Sequence, residues 1–245
     1  MKLYGLIGRY ISHSFSPSFF ARKFAKEGIE GTQYKLFPLE SIHDFPTLIE
    51  QQKNLCGLNV TIPYKEQIFE YLDVVTDEAR AIGAVNTIAF RAGKLYGYNT
   101  DVYGFRESLR PLLGQNKQQN YQALILGTGG ASKAVAYALN QLDIGFSYVS
   151  RQEKADWYQY RNIGDRIKDY KLIINTTPLG MSPNVDSKPD LDYDLLSKDH
   201  ILYDLVYNPE KTVFLQEAEK RNCLSKNGLE MLHLQAEKAW KIWTT

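Results

Sequence analysis

The chain has 245 residues, of which 44% are hydrophobic, so it is long enough to build two ordinary domains with real cores. Its 29 Lys and Arg residues nearly balance 28 Asp and Glu residues, so no broad basic field attracts nucleic acid or anionic lipid, and a small-molecule partner is favoured. The two cysteines and four scattered histidines have no spacing that predicts a disulfide framework or a metal site.

The ends and apolar runs of the chain give no sign of export or membrane insertion. Residues 1–7 are too short an apolar stretch for the core of a signal peptide. No window approaches the roughly 18 apolar residues that a membrane-spanning helix requires. We therefore expect a cytoplasmic protein with no membrane partner.

Strand-like and helix-like runs alternate from the start of the chain, which predicts an α/β layer that ends near residue 100. Strands are predicted at 3–7, 33–37 and 57–60, and helices at 17–27 and 64–71. Two further runs, 85–90 and 94–98, are joined through Arg91-Ala-Gly93 and predict a hairpin that leads to Asp101.

The second half of the chain predicts a parallel, doubly wound sheet. After the polar segment 114–120, a strand at 121–126 leads into Gly127-Thr-Gly-Gly-Ala-Ser132 and an alanine-rich helix that ends near residue 142. Further strands are predicted at 146–150, 171–175 and 201–205, and repeated βα units of this kind indicate a Rossmann-type domain. The last helix, 229–243, is expected to pack back onto the first domain.

The glycine-rich turn predicts a dinucleotide site because it follows a strand and opens a helix. Glycine permits a tight turn and close approach of a pyrophosphate, and the helix N-terminus offers free N–H groups. The alternative is a glycine-rich turn without a ligand. The candidate cofactor residues here are Gly127, Thr128, Gly129, Gly130 and Ala131.

The choice of cofactor is predicted from the end of the next strand, Ser150-Arg151-Gln152-Glu153-Lys154. An acidic residue there binds the ribose 2′-OH of NAD, whereas cations accommodate the 2′-phosphate of NADP. Arg151 and Lys154 can offer charge-assisted hydrogen bonds to phosphate, so NADP is preferred. The alternative is that Arg151 and Lys154 are two ordinary surface cations. The carboxylate of Glu153 also leaves open a mixed specificity for NADP and NAD.

Lys65 and Asp101 are the candidate catalytic residues. Carbonyl reduction places negative charge on oxygen, so a proton donor such as Lys65 beside that oxygen lowers the barrier, and a carboxylate would hold the ammonium in place. The alternatives are a solvated lysine on a helix face and an N-cap at Asp101. From these residues alone, the two interpretations are even.

Amides and hydroxyls accompany this pair and suit a polyhydroxylated ligand more than an apolar one. They are Asn59, Thr61, Asn86 and Thr100. Ser14 and Ser16 could donate to a carboxylate, although Ser16-Pro17 is also a good N-cap followed by proline.

Taken together, these motifs resemble the shikimate dehydrogenase family. The matching blocks follow the family's order over almost the whole chain: Ser12-His-Ser-Phe-Ser-Pro17, Asn59-Val-Thr-Ile-Pro-Tyr-Lys65, Gly83-Ala-Val-Asn-Thr87, Tyr98-Asn-Thr-Asp101, Gly127-Thr-Gly-Gly-Ala-Ser132, Asn175-Thr-Thr-Pro-Leu-Gly-Met181, Asp204-Leu-Val-Tyr-Asn-Pro209 and Met231-Leu-His-Leu-Gln-Ala236.

The resemblance implies reversible NADPH-dependent reduction of 3-dehydroshikimate to shikimate, on the route to chorismate and aromatic amino acids. It implies a catalytic domain formed by 1–101 and 226–245, an NADP-binding Rossmann domain at 102–225, and a monomer or homodimer. The implied catalytic pair is Lys65 and Asp101. The implied substrate contacts are Ser14, Ser16, Asn59, Thr61, Asn86, Asp101, Tyr207 and Gln235, and the implied cofactor contacts include Ser150, Arg151, Lys154, Thr176 and Gly228.

The chain departs from the family pattern at three places. Glu230 puts a charge where the family commonly has glycine, near the expected nicotinamide position. The stretch 151–175 is shorter than usual, which predicts a trimmed helix or strand. Gln152 replaces a small hydroxyl residue, which predicts modestly weaker 2′-phosphate binding.

Two other functions stay open on sequence grounds. One is a quinate/shikimate dehydrogenase with relaxed choice of substrate or cofactor. The other is a catalytically silent NADP-binding module that regulates a partner. A methylenetetrahydrofolate dehydrogenase-like enzyme fits the two serines poorly.

Overall fold

The computed structural model describes residues 1–114 and 121–245, so most of the predicted polar segment lies outside the described residues. The chain divides into two compact units, one formed by Met1–Thr100 with Gln235–Thr245 and the other by Asp101–Leu234. The second boundary lies inside the last helix, whereas the sequence-based assignment put it at 225/226. The assignment of a function to each unit stays a prediction.

The first unit contains a mixed six-stranded sheet in the order β2-β1-β3-β5-β6-β4. β1 pairs in parallel with β2 and β3, whereas β5 is antiparallel to β3 and β6. Ala92 and Gly93 take positive φ between β5 and β6, which confirms the predicted hairpin. The strands are β1 (Lys2–Gly8), β2 (Thr32–Pro38), β3 (Leu55–Val60), β4 (Val74–Val75), β5 (Thr87–Arg91) and β6 (Lys94–Tyr98).

Seven α-helices are found in the described ranges: α1 (Ser16–Glu27), α2 (Phe45–Gln51), α3 (Asp77–Ile82), α4 (Asp101–Leu109), α5 (Gly130–Gln141), α6 (Val213–Lys220) and α7 (Leu229–Thr244). The predicted helix at 64–71 is wrong, because only Gln67–Tyr71 is helical and it is a 3₁₀ helix. Lys65 precedes it, and its carbonyl oxygen accepts a 2.8 Å hydrogen bond from the Val85 N–H instead of continuing a helical ladder.

The end of α7 packs within the first unit, as the sequence predicted. The rings of Trp240 and Trp243 lie 5.2 and 5.0 Å from the Tyr4 ring, and Trp243 lies 5.6 Å from Phe20. The Trp243 indole N–H donates a 2.9 Å hydrogen bond to the carbonyl oxygen of Ile88. This aromatic cluster joins both ends of the chain in one unit.

The second unit contains a parallel sheet in the order β12-β11-β10-β7-β8-β9. Counted from β7, this is the 3-2-1-4-5-6 order of the dinucleotide-binding Rossmann fold, so the predicted doubly wound sheet is confirmed. The order reverses between β7 and β10, and ligands bind at the carboxyl ends of strands at such a point. The strands are β7 (Gln122–Leu126), β8 (Gly145–Ser150), β9 (Trp157–Gln159), β10 (Leu172–Asn175), β11 (Ile201–Asp204) and β12 (Leu224–Lys226).

The region between β8 and β10 is reduced, as expected from its length. In the segment 151–171, which joins β8 to β10, the regular elements are the three-residue β9 and a 3₁₀ helix, Gly164–Asp169. Across 1–114 and 121–245, none of the helices has the length and apolar character needed to cross a membrane.

Candidate functional site

The first unit brings most of the predicted amides and hydroxyls, together with Thr87 but without Thr61, into one hydrogen-bonded group. We call it the amide–hydroxyl network, and its members are Asn59, Asn86, Thr87, Thr100 and Gln235. Asn59 is its most constrained member. Its Nδ2 donates to the Asn86 carbonyl oxygen and to Thr87 Oγ1, both at 3.3 Å. Its Oδ1 accepts a 2.8 Å hydrogen bond from the Tyr34 hydroxyl. The orientation of this buried amide is therefore set by three partners.

Asn86 links β5 to the end of the β5–β6 hairpin. Its Oδ1 accepts from the Thr100 backbone N–H at 2.7 Å, and its Nδ2 donates to Thr100 Oγ1 at 3.0 Å. The Thr100 hydroxyl in turn contacts Oε1 of Gln235 at 3.4 Å. Asn86 and Thr100 are buried, at 3% and 0% exposure, so the amides are held rigidly at this point of the unit.

Lys65 and Thr61 belong to the segment that follows β3. The Thr61 N–H donates to the Ile7 carbonyl oxygen at 2.9 Å, and its methyl group lies against Gly8, where an added Cβ would come within 2.5 Å of it. Both side chains are half-buried. This segment therefore holds a primary amine and a hydroxyl that are partly open to a ligand.

Ser14 and Ser16 lie at the start of α1. The structure makes Ser16 the first residue of the helix, with Phe15 as the N-cap, so the interpretation of Ser16 as an N-cap is wrong. The Ser14 hydroxyl accepts a 3.3 Å hydrogen bond from the Ser16 N–H. Both serines are half-buried and two residues apart on one turn, which is a geometry suited to a carboxylate.

Asp101 and Tyr207 belong to the second unit. Asp101 is the first residue of α4, is 8% exposed and directly follows Thr100 of the amide–hydroxyl network. Tyr207 lies just beyond β11 and is half-buried, and burial raises the pKa of its hydroxyl. A neutral phenol is thus retained there at neutral pH.

The glycine turn of the second unit has two different kinds of glycine. Gly127 has φ +100°, and a Cβ there would come within 2.8 Å of the Thr177 methyl group and 3.0 Å of Thr176 Oγ1. Gly127 is therefore required by backbone conformation and packing. Thr176 is fixed in turn, since its hydroxyl donates to the Leu126 carbonyl oxygen at 2.7 Å.

At Gly129, neither backbone conformation nor packing requires a glycine. Its φ and ψ of −77° and −178° are open to any residue, and a Cβ there would meet no atom of residues 1–114 or 121–245 within 4 Å. It is the N-cap of the twelve-residue α5, and none of the described side chains caps that helix. The space over Gly129 and the uncapped N–H groups of α5 together form a cradle that suits an anionic group.

Cations follow β8 at the carboxyl edge of the same sheet. Ser150 is buried and its hydroxyl accepts a 3.0 Å hydrogen bond from the Gln152 N–H, while Arg151 and Lys154 are exposed. The Lys154 ammonium lies 4.2 Å from the centre of the Trp157 ring, a cation–π contact that keeps it over the loop. These groups form a cationic rim suited to phosphate.

Gly228 directly precedes α7, and Glu230 is in its first turn. Gly228 is tightly packed, because an added Cβ would lie 2.1 Å from the Leu205 carbonyl oxygen. Glu230, the charge that departs from the family pattern, forms an ion pair with Lys226, which also donates to the Ser108 carbonyl oxygen at 2.8 Å. Its negative charge is therefore balanced within the second unit.

The residues that the sequence interpretation missed include Tyr34 and Thr87, which contact Asn59, and Trp157, which contacts Lys154. The cation–π partner Trp157 is only three residues from Lys154, so local spacing carried a weak signal for it. Tyr34 is 25 residues from Asn59, and nothing local indicates that they meet.

Comparison with known proteins identifies the same family by sequence and by structure. Residues 6–88 match the model of the shikimate dehydrogenase substrate binding domain. A shikimate dehydrogenase (NADP(+)) of Clostridium beijerinckii is 42% identical, over 99% of this chain and 92% of its own length. The resemblance predicted from the motifs is confirmed.

Comparison with solved structures leads to the same family. A shikimate dehydrogenase in complex with NADP+ superposes with a TM-score of 0.90 at 35% identity, over 100% of this chain and 90% of its own. A quinate dehydrogenase from Corynebacterium glutamicum in complex with NAD has a TM-score of 0.88 at 29% identity, over 99% of this chain and 93% of its own.

Proposed function

This chain belongs to the shikimate dehydrogenase family of oxidoreductases, and we propose that it catalyses the reversible NADPH-dependent reduction of 3-dehydroshikimate to shikimate. The observation that carries the proposal is the amide–hydroxyl network of the first unit. Its rigid donors and acceptors suit a small ring with several hydroxyls, because such a ligand is recognised by fixed polar groups.

The cradle at the start of α5 supports a dinucleotide. The open position over Gly129 has no explanation in backbone conformation or packing, whereas close approach of a pyrophosphate explains it. NADP(H), when bound, supplies or accepts the hydride. The residues proposed to hold it are Gly127, Thr128, Gly129, Gly130, Ala131, Ser150, Arg151, Lys154, Thr176 and Gly228.

The cations after β8 support NADP over NAD. A 2′-phosphate needs positive partners, and Arg151 and Lys154 are exposed at the end of the second strand of the Rossmann order. Glu153 is the carboxylate that would favour a ribose hydroxyl, but two cations flank it. The local charge therefore favours the phosphorylated cofactor.

Lys65 is the proposed proton donor. In the reducing direction its ammonium gives a proton to the oxygen that becomes the new hydroxyl, while the ketone carbon receives the hydride. In the oxidising direction the neutral amine accepts that proton. Asp101 is the proposed partner that holds the ammonium in position.

The remaining site residues are proposed to orient the substrate. Ser14 and Ser16 are assigned to the carboxylate because they offer two hydroxyls on one turn. Tyr207 is also assigned near the carboxylate, by its place in the family motif. The ring hydroxyls are assigned to Asn59, Thr61, Asn86, Asp101 and Gln235.

A second candidate is a quinate/shikimate dehydrogenase with relaxed specificity. It is favoured by the likeness to a quinate dehydrogenase in complex with NAD, at a TM-score of 0.88. Both candidates share one architecture, so the choice depends on a few side chains. The cytoplasmic location and the monomeric or homodimeric state stay predictions.

The deciding experiment is an initial-rate assay at the absorbance of reduced nicotinamide, with shikimate or quinate offered against NADP or NAD. Turnover confined largely to shikimate with NADP supports the first candidate. Comparable rates with quinate or NAD support the second. Binding of NADP without any turnover contradicts both and supports a silent regulatory module.

A further inference from the structure

The side chain of Tyr34 contacts two elements of the proposed substrate side. Tyr34 is on β2, and its hydroxyl donates a 2.8 Å hydrogen bond to Oδ1 of Asn59, which is on β3. Its ring stacks on Phe20 of α1, the helix whose first residue is Ser16, with ring centres 4.3 Å apart. One side chain thus joins α1 to the amide–hydroxyl network, and all of these residues belong to the first unit.

The Tyr34 ring is held so that its hydroxyl cannot swing away. It stacks on Phe20 with ring centres 4.3 Å apart and an interplanar angle of 14°, and Trp243 lies 6.4 Å away. Burial raises the pKa of Tyr34 well above its ordinary value. The phenol therefore keeps its proton over the whole working range of pH and stays a donor to Asn59.

The Tyr34 hydroxyl and the Asn86 carbonyl oxygen hold the two ends of the Asn59 amide. Oδ1 accepts from Tyr34, and Nδ2 donates to the Asn86 carbonyl oxygen and to Thr87 Oγ1. A flipped amide would bring Oδ1 against the Asn86 carbonyl oxygen, which can only accept, and would lose the hydrogen bond that Oδ1 receives from Tyr34. The phenol therefore satisfies the amide oxygen in the orientation that the Asn86 carbonyl requires.

We propose that Tyr34 is a positioning residue for substrate binding, which fixes Ser16 and Asn59 relative to each other so that one ligand can reach both. This inference rests on the proposed function, because Ser16 and Asn59 are assigned there to the two ends of the substrate. Tyr34 acts through these neighbours, so its loss should weaken substrate binding selectively and leave cofactor binding unchanged.

The test compares Tyr34→Phe with Tyr4→Phe in the full-length enzyme. Tyr4 is the register partner of Tyr34 on the adjacent strand, is 2% exposed, and also packs against Trp243. Tyr4 is not one of the proposed site residues. Each variant removes one buried hydroxyl from the same sheet and the same aromatic cluster, so a general loss of packing affects both alike.

Tyr34→Phe should raise the KM for shikimate about 5- to 10-fold, the factor that one hydrogen bond typically supplies, with an unchanged KM for NADP. Tyr4→Phe should change neither constant, while thermal unfolding reports the stability of both. A second variant, Ser16→Ala, removes the hydroxyl at the start of α1 without altering the buried ring, so that no group is left there for Tyr34 to position. Its effect on the KM for shikimate should be non-additive with that of Tyr34→Phe.

Equal shifts in the two tyrosine variants, or equal shifts in the two Michaelis constants, would overturn the positioning role. Strict additivity of Ser16→Ala and Tyr34→Phe would do the same. A wild-type enzyme that neither oxidises nor binds shikimate would overturn the proposed function first, and this inference with it. A selective shift in the KM for shikimate supports the inference.

Discussion

The hydroxyl of Thr176 donates a 2.7 Å hydrogen bond to the carbonyl oxygen of Leu126, and the Thr176 N–H donates to the same oxygen at 3.0 Å. Leu126 ends β7 and Thr176 follows β10. These hydrogen bonds therefore hold the carboxyl ends of β7 and β10 together, at the point where the strand order reverses. Gly127, the next residue after Leu126, packs against Thr176 and Thr177. The floor of the proposed cofactor site is therefore rigid before any ligand arrives.

The two glycines of the turn should respond differently to alanine. Gly129→Ala should alter the free energy of unfolding by less than about 1 kcal/mol, because its φ is ordinary and the space around it is open. It should nevertheless weaken NADP binding about 10-fold or more, since the new methyl group stands where the pyrophosphate approaches. Isothermal titration with NADP and thermal unfolding measure the two effects separately.

Gly127→Ala is the matched comparison. Its positive φ and the Thr177 contact at 2.8 Å should cost about 1 to 3 kcal/mol of stability. Unchanged NADP affinity in Gly129→Ala would contradict the proposed position of the phosphates.

Lys65→Ala should reduce kcat for shikimate oxidation by about 10²- to 10⁴-fold, because an acid–base group is lost. The fold should be kept, since the lysine side chain is half-buried and its backbone carbonyl contact to Val85 does not depend on it. Steady-state rates measure the loss of turnover, and circular dichroism tests whether the fold is kept.

Lys53→Ala, which changes an exposed lysine of the same unit, is the control for loss of charge. Near-normal turnover in Lys65→Ala would remove this residue from the mechanism.

Arg151→Ala should raise the KM for NADP about 10-fold or more and change the KM for NAD little, because a charge-assisted hydrogen bond to the 2′-phosphate is lost. Rates measured over a range of each cofactor, at fixed saturating shikimate, give the comparison. Lys198→Ala removes an equal charge just before β11, at the amino ends of the strands, and should change neither constant. Equal effects of Arg151→Ala on both cofactors would contradict the phosphate assignment.

Glu217 makes the stability of the second unit depend on pH. Hydrogen bonds from Lys188, then Lys220 and Arg221, lower its pKa from 4.5 to about 2 despite burial. A carboxylate with a lowered pKa stabilises the folded state above pH 4.5, and this contribution is lost as the pH falls towards 2. Glu217→Gln should therefore cost about 1 kcal/mol at pH 7, after allowance for solvent screening, and much less near pH 2.

Thermal unfolding of wild type and Glu217→Gln between pH 3 and pH 8 gives this difference directly. Glu219→Gln is the control, because Glu219 is 65% exposed and its ion pair with Lys211 is at the surface. A difference in Tm that does not shrink on acidification would contradict the ionic origin of the effect.

The regular elements that could be predicted were long and strongly patterned. The hairpin of β5 and β6, the βα units of the second unit and the last helix were all found close to their predicted limits. The helices α2, α3 and α6 were not predicted, since they have only seven, six and eight residues, too few for a helical pattern to repeat. The predicted helix at 64–71 is wrong because the Lys65 carbonyl oxygen pairs with a distant N–H, that of Val85.

The sequence by itself determined the family, the fold class and the identity of the candidate residues, because motif order and glycine spacing are local properties of the chain. Tertiary structure alone decided how those residues are held. It placed Tyr34 against Asn59, and it distinguished Gly127, where glycine is obligatory, from Gly129, where the surrounding space is open. These relationships depend on the packing of strands and helices in three dimensions, and residue type and spacing do not specify which side chains then meet.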